Sequence, residues 1–209
     1  MDLAVALVGG PVVALVVALA WRANTRAMGP LVLLPAALVL VGLAAFAVRP
    51  PRVAPSVGPV AALAAGIATG LGLWAAARAL VALAGPRFAA ATRALYTTAR
   101  GSAGPGSVGL VVLAALGEEV FWRGLVQPLG AEGLGGAAPG AVVGWLAFVA
   151  ANATSGRSPI LVAAVVGGAC WSALAWWSGG VLAGAVSHML FAGLMLAAPP
   201  WGVREEGGR

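Results

Sequence analysis

Three ionisable side chains follow a long apolar run, and this feature most constrains what the chain can fold into. Val108 to Leu116 is almost entirely apolar, and Glu118, Glu119 and Arg123 come directly after it. The whole chain has only six acidic residues. A charged side chain at mid-bilayer costs roughly 2.5–3.5 kcal/mol on insertion scales. Charges in such a place indicate ion or proton movement, catalysis or a buried structural pair.

Composition places the chain in a membrane. Hydrophobic residues make up 61% of it and charged residues 9%, whereas a soluble domain carries about 25% charged residues. No stretch alternates polar and apolar residues over about ten positions, as the strands of an outer-membrane barrel do. The sequence therefore predicts an all-α fold, a polytopic bundle of transmembrane helices.

About seven spans are expected, within a range of six to eight, because each needs about 20 apolar residues. Leu3 to Trp21 is interpreted as an uncleaved first span, and helix-breaking prolines fall at or near the boundaries of the spans. Segment 86–106 combines three arginines with Ala and Leu, which predicts an amphipathic helix at the membrane surface; a poor eighth span is the alternative. The predicted spans are 3–21, 30–48, 57–83, 107–127, 136–153, 159–177 and 179–198.

The distribution of apolar runs and charged residues divides the chain into three parts. Residues 1–106 hold the amino-terminal helices and the amphipathic linker. Residues 107–198 form a core that carries the polar groups within the membrane. Residues 199–209 are a polar tail.

The basic residues predict an orientation. The net charge of +6 is the difference between twelve arginines and six acidic residues, and the chain has no lysine. Most of the arginines lie between apolar runs. An external amino terminus leaves only Arg49 and Arg52 outside, so the positive-inside rule favours a cytoplasmic carboxyl terminus. The arginines are scattered and lack interleaved aromatic residues, which argues against nucleic acid as a partner. The Ala- and Gly-rich composition favours a bacterium, and hence its cytoplasmic membrane.

Small residues recur at helical spacing and predict close helix packing. The pairs are Gly66/Gly70, Gly140/Gly144 and Gly180/Gly184. Such pairs let two helix backbones approach each other. Packing inside one bundle is the expected use, with dimerisation as the alternative.

Glu119 and Arg123 are four residues apart, with the acid nearer the amino end, which is the favourable order for an ion pair on one helix face. Glu118 points about 100° away around the helix. The two carboxylates are therefore expected to have different tasks, one paired and one free to act. The alternative is a helix end in the headgroup region, where both acids are solvated.

The remaining polar candidates stand in later apolar runs. His188 is the only histidine, and its ring nitrogens need partners within the membrane. Asn152 ends the fifth run, where it is either a functional amide or a helix cap before Thr154. Gln127 lies one turn beyond Arg123, where it is a candidate partner for that arginine.

These residues resemble the CPBP family, which comprises intramembrane CAAX-type prenyl endopeptidases and bacteriocin-processing or immunity proteins. Members carry E-E-x-x-x-R on one membrane helix, F-x-x-x-H on a later helix and H-x-x-x-N or D on another. Glu118-Glu119-x-x-x-Arg123 matches the first motif in full. Phe148-x-x-x-Asn152 has Asn in place of the second motif's His, and His188-x-x-x-Ala192 has Ala in place of the third motif's Asn or Asp. The resemblance covers roughly residues 107–198.

The resemblance implies an intramembrane peptidase that is similar to a metalloprotease, in which Glu118 activates a water for attack on a peptide bond. His188 and Asn152 would assist it, and Glu119 with Arg123 would hold the helix or orient the substrate. The expected substrate is a membrane-embedded or lipid-anchored peptide or protein in the bilayer. Further residues expected to line the site are Trp122, Gln127 and Phe148.

No cofactor is expected with certainty. One histidine and a single cysteine, Cys170, cannot assemble a His-rich zinc site. A weakly held divalent metal on Glu118 and His188 is the alternative.

Two other functions stay open at this point. Asn152 and Ala192 depart from the family motifs, which fits a catalytically degenerate member that acts as a membrane scaffold or a bacteriocin-immunity protein. A proton-coupled carrier could use Glu and His as a relay. The absence of two-half symmetry and of broken helices in corresponding positions argues against the carrier.

Overall fold

The computed structural model describes residues 55–101 and 107–200, and within them every regular element is helical. The expected all-α fold is thus confirmed for this part of the chain. The predicted spans 3–21 and 30–48, and residues 201–209 of the predicted tail, lie outside the described residues. The three-part division of the chain stays a prediction.

Seven α-helices and one π-helical segment make up the described part. In chain order the helices are α1 (Pro59–Leu83), α2 (Pro86–Gly101), α3 (Ser107–Phe121), α4 (Gln127–Leu134), α5 (Ala137–Ala153), α6 (Ser158–Ser178) and α7 (Leu182–Ala197). The π segment, Trp122–Val126, joins α3 to α4.

Prolines begin helices as the sequence predicts, and glycines follow two of the helix ends. Pro59 and Pro86 are the first residues of α1 and α2, a position where the missing N–H is not needed. Helices α4 and α6 end at Gly135 and Gly179, whose φ angles of 71° and 67° are left-handed. This conformation is common after a helix end and favours glycine.

Among the described residues two helices, α1 and α6, are long and apolar enough to cross a membrane by length and composition. Helices α5 and α7 are apolar but shorter, with 17 and 16 residues. The predicted span 107–127 does not end at Gln127, because the helix continues through the π segment into α4. Pro86–Gly101 is helical as expected, and its position at the membrane surface stays a prediction, as does the count of seven spans.

Close helix contacts use two of the predicted small-residue pairs. Helix α1 packs against α7 through Gly66 and Gly70. Helix α5 packs against α4 through Gly140 and Gly144, with Gln127 directly opposite. The expected packing within one bundle is confirmed for these two pairs.

The third pair behaves differently. Gly180 lies in the turn between α6 and α7, and a Cβ at that position would meet no atom within 4 Å. Only Gly184 makes a close contact, which is with Glu119. The interpretation of Gly180/Gly184 as a helix-packing pair is therefore wrong, because the first member is not on a helix.

The packing places the polar residues in the interior of the bundle. Glu119 faces Gly184, and Val112 faces Gly193, so α3 and α7 run antiparallel. His188 is six residues from the start of α7 and nine from its end. At 1.5 Å per residue these distances are about 9 Å and about 14 Å, which puts the imidazole near the middle of the helix.

Replacing Gly66 by Ala should destabilise the protein. The new Cβ would stand 2.7 Å from the Ala183 carbonyl oxygen and 2.9 Å from Val186 Cβ, so α1 and α7 must separate. Overpacking of this kind typically costs about 1–3 kcal/mol. The measurement is the thermal midpoint in detergent. Gly72→Ala is the matched control, because a Cβ at this site on α1 meets nothing within 4 Å. Equal midpoints for the two variants would show that the contact does not limit stability.

Candidate functional site

The helix that carries the acidic pair changes its winding at the site. Glu118 and Glu119 lie in the last turn of α3, and Arg123 lies in the π segment. The Gln127 N–H bonds to the Trp122 carbonyl, five residues back, as a π-helix requires. Single π turns inside α-helices are frequent at functional sites.

Glu119 and Arg123 form the ion pair that their spacing predicts. Arg123 Nη1 donates to Glu119 Oε1 at 2.8 Å, and both side chains have no exposed surface. Arg123 Nη2 donates to the Gly168 carbonyl of α6 at 3.1 Å. The pair therefore holds two helices together, and the interpretation of a solvated helix end is wrong for Glu119.

His188 joins this pair from α7. Its Nδ1 lies 2.9 Å from Glu119 Oε1. A carboxylate already paired with Arg123 can only accept hydrogen bonds, so Nδ1 is the nitrogen that carries the proton. In the neutral imidazole the other nitrogen, Nε2, presents a lone pair, and it lies 3.8 Å from Glu118 Oε2.

The two glutamates differ in accessibility. The Glu118 side chain is 22% exposed, whereas that of Glu119 is completely buried. Glu118 is also too far from His188 Nε2 for a direct hydrogen bond. This geometry agrees with the expected division into one paired and one free carboxylate.

Aromatic rings enclose the imidazole. Trp171 of α6 stacks on it with ring centres 3.6 Å apart and planes at 15°. Phe148 of α5 approaches it edge-to-face at 6.3 Å. The Phe148 ring also lies 4.6 Å below the Arg123 guanidinium. Of the predicted lining residues, Phe148 thus contacts both hydrogen-bonding partners of Glu119, whereas Trp122 packs behind Phe148 at 6.1 Å.

Asn152 is placed one turn beyond Phe148 on α5. Its Nδ2 donates to the Phe148 carbonyl at 3.0 Å. Within residues 55–101 and 107–200, no hydrogen bond joins Asn152 to Glu118 or His188. Its interpretation as the helix cap is wrong, because α5 is capped by Thr154, whose hydroxyl bonds to the Ala151 carbonyl at 2.6 Å.

Gln127 does not bond to Arg123, contrary to the expected partnership. Its Nε2 donates to the Ser172 carbonyl at 3.2 Å. Ser172 lies one turn after Gly168 on α6, so Arg123 and Gln127 bind successive turns of the same helix. The two side chains act in parallel, each fastening the π region to α6.

Glycine makes room for the buried carboxylate. A Cβ at Gly184 would lie 2.7 Å from Glu119 Oε2, which is the oxygen not used by Arg123 or His188. This oxygen and Arg123 Nε are buried and have no hydrogen-bond partner among the described residues. Incompletely satisfied buried polar groups are rare in proteins and are common at functional sites.

The donor set does not fit a zinc site. Catalytic zinc takes three protein ligands. Among the described residues Glu118 and His188 Nε2 supply two, since Glu119 uses Oε1 for Arg123 and Nδ1, and its Oε2 lies against Gly184. In the described ranges no group of three or more His, Cys, Asp or Glu side chains is arranged to hold a metal.

Three contributors to the site have no counterpart among the expected residues. They are the Trp171 ring, the Gly168 carbonyl and Ser187, whose hydroxyl accepts a hydrogen bond from Trp171 Nε1 at 3.2 Å. The sequence signals for them are Ser187, which directly precedes the motif histidine, and the adjacent glycines Gly167 and Gly168 one turn before Trp171. Small residues allow close approach of another helix.

Removing Arg123 should destabilise the fold far more than removing an exposed arginine. Arg123→Met leaves the Glu119 charge buried without its partner, and breaking such a pair typically costs about 3–5 kcal/mol. Arg87→Met on α2 is the control, because Arg87 is exposed. The double change Glu119→Gln/Arg123→Met should recover part of the loss. A fall in the thermal midpoint no larger than that of the control would contradict a stabilising pair.

Comparison with known families adds an independent observation. Residues 102–194 match the family model described as type II CAAX prenyl endopeptidase Rce1-like. This region contains α3 to α6 and most of α7, and hence every residue of the site. Comparison with curated proteins and with solved structures gave no match. Over residues 102–194, a little under half of its length, the chain is therefore similar to the Rce1-like type II CAAX prenyl endopeptidases.

Proposed function

We propose that this protein is an intramembrane endopeptidase that hydrolyses a peptide bond in a membrane-embedded or lipid-anchored peptide or protein. One observation supports this proposal above the others. A partly accessible carboxylate, Glu118, lies beside the free nitrogen of His188, near the middle of an apolar bundle. A carboxylate and an imidazole in this arrangement can position and deprotonate one water molecule.

Glu118 is the proposed general base. Its Oε2 and His188 Nε2 are 3.8 Å apart, which lets one water lie about 2.8 Å from both. Glu118 removes one proton from this water while Nε2 accepts the other hydrogen in a hydrogen bond. The hydroxide oxygen bonds to the peptide carbon, and the proton on Glu118 then passes to the leaving amine as the C–N bond breaks.

Glu119 and Arg123 prepare the imidazole for this role. Glu119 accepts a hydrogen bond from Nδ1–H, with the heavy atoms 2.9 Å apart. This bond keeps the Nε2 lone pair directed to the Glu118 side. Arg123 in turn bonds to Glu119 and fixes the position of its carboxylate. The expectation that this pair orients the substrate is thus replaced by a proposal that it orients His188.

Asn152 is the proposed donor to the oxyanion that forms on the peptide carbonyl. Its amide has two N–H bonds, and the one that is bonded to the Phe148 carbonyl fixes its direction. The second can donate to a substrate oxygen. An amide donor of this kind typically contributes about 10²–10³ in rate.

No step of this mechanism uses a metal. The two groups that could hold one, Glu118 and His188, fall short of a zinc donor set. Stoichiometric zinc in purified, chelator-washed protein would overturn this part of the proposal.

An apolar cavity next to the site supports a substrate that carries hydrocarbon. It has a volume of about 230 Å³ and lies between α1, α2, α6 and α7. Gly167 and Phe191 line it, and both contact Trp171, whose ring stacks on His188. A lipid anchor or an apolar side chain held there would bring an adjoining peptide bond close to the imidazole.

The proposed location is a bacterial cytoplasmic membrane with the carboxyl terminus inside. The same cavity is lined by Phe88 of α2 and by Pro159 at the start of α6. Arg87 and Arg157 are neighbours of these residues in the chain. The two arginine-bearing segments therefore lie toward one end of the bundle, as a common cytoplasmic side requires.

A second candidate function is that of a non-catalytic relative, a membrane scaffold or an immunity protein. Ala192 favours it, because this residue one turn beyond His188 offers no polar group where the family has Asn or Asp. The two candidates differ in whether the unmodified chain cleaves any peptide.

Glu118→Gln should reduce peptide cleavage by about 10²–10⁴, because the amide cannot take a proton from water. The assay uses a farnesylated peptide ending in Cys-Ala-Ala-X, and the same peptide without lipid, in detergent micelles with products identified by mass spectrometry. Glu132→Gln is the matched control, since Glu132 is an exposed glutamate on α4. Cleavage by Glu118→Gln at the unmodified rate would remove Glu118 from the mechanism. Absence of cleavage by the unmodified chain would favour the non-catalytic function.

Asn152→Leu should lower kcat by about 10²–10³, since Leu keeps the volume but donates no hydrogen bond. Asn152→His should retain most of the rate, because imidazole can also donate. Rates are measured on the same peptides, with the thermal midpoint as a check on folding. An unchanged kcat in a folded Asn152→Leu protein would show that the amide only bonds to its own helix.

A further inference from the structure

Trp171 makes the closest ring contact with His188. The ring centres are 3.6 Å apart, and the planes are within 15° of parallel. Trp171 is 1% exposed, so the stack is shielded from the surroundings. A flat contact of this kind restrains the imidazole plane, because any tilt of the ring would collide with the indole.

The indole is itself fixed from two sides. Its Nε1 donates to the Ser187 hydroxyl at 3.2 Å, and Ser187 precedes His188 on α7. On its own helix the ring lies over Gly167, where a Cβ would come within 2.8 Å of the indole carbon Cη2. The indole therefore has a fixed position relative to the backbone that carries the imidazole.

The imidazole can occupy this position in two orientations that differ by a ring flip. A half-turn about the Cβ–Cγ bond would exchange the sides to which the two nitrogens point. Only the observed orientation puts Nδ1 on Glu119 at 2.9 Å and Nε2 toward Glu118. The bond to Glu119 opposes the half-turn, which leaves the ring plane unchanged. Because this bond fixes only one atom of the ring, a second restraint is needed against tilting out of the plane.

We infer that Trp171 is a positioning residue for His188, which holds the imidazole plane so that the Nε2 lone pair is directed to the Glu118 side. The indole has no group that exchanges protons at neutral pH, so it acts only through His188. The catalytic consequence rests on the proposed function, whereas the restraint on the ring can be observed without any substrate.

The chain offers a direct spectroscopic test, because His188 is its only histidine. With ¹⁵N-labelled histidine, every ring-nitrogen signal from the detergent-solubilised protein belongs to His188. The unmodified protein should show one tautomer, with Nδ1 protonated and Nε2 not. Trp171→Leu keeps apolar bulk without a flat face, and should move both signals toward the average of the two tautomers. Trp171→Phe keeps a flat ring and should retain the single-tautomer spectrum.

Activity on the same peptides supplies a second readout. Trp171→Leu should lower kcat tenfold or more with KM changed less than threefold, and Trp171→Phe should recover most of the rate. Trp177→Leu is the matched control on the same helix, because Trp177 is 45% exposed. Ser187→Ala removes the acceptor of the indole N–H without changing Trp171, and should shift the ¹⁵N signals in the same direction. It serves as the test if Trp171→Leu does not fold.

The outcomes separate the two proposals. A tautomer shift in Trp171→Leu or Ser187→Ala supports the positioning role, even if the unmodified chain cleaves nothing. Unchanged ¹⁵N signals in the folded variants would overturn that role and reduce Trp171 to core packing, whatever the cleavage assay shows.

Discussion

The structure depends on one buried carboxylate. Glu119 has no exposed surface, and burying a charge in an apolar bundle is tolerated only when partners surround it. Arg123 supplies the opposite charge, and His188 supplies a second hydrogen bond to the same oxygen. These contacts tie α3 and the π segment to α6 and α7, so the requirement to satisfy one charge also assembles the candidate site.

The other carboxylate is left out of this network, and the proposed chemistry depends on that. Glu118 is adjacent in sequence but points to another side of the helix, where it keeps part of its surface. The same bundle thus provides a rigid polar centre and a less constrained acid beside it. Enzymes often separate two neighbouring carboxylates in this way, by environment rather than by sequence.

Local geometry explains which parts of the site could be predicted. The Glu119–Arg123 pair follows from four-residue spacing on one helix, and the pairing of Glu118 with His188 was expected from the family resemblance. The stack of Trp171 on His188 could not be predicted, because it depends on how α6 packs against α7, and a tryptophan in an apolar run has no local signature. The π segment could not be predicted either, because it differs from an α-helix only in which backbone carbonyl accepts each N–H hydrogen bond. For the fold, Pro59 and Pro86 gave the helix starts, whereas the continuation of the helix past Gln127 has no composition signal.

The fastening of the π region to α6 has an evolutionary consequence. Arg123 and Gln127 donate to the carbonyls of residues 168 and 172, and every amino acid carries a carbonyl. The two bonds therefore place no requirement on the side chain at either acceptor position. Position 168 is restricted instead by the Phe148 and Trp145 rings, which leave no space for a side chain. Position 172 carries a hydroxyl with no partner among the described residues. Pairwise covariation between homologues would therefore fail to register this contact between helices, although it lies at the centre of the molecule.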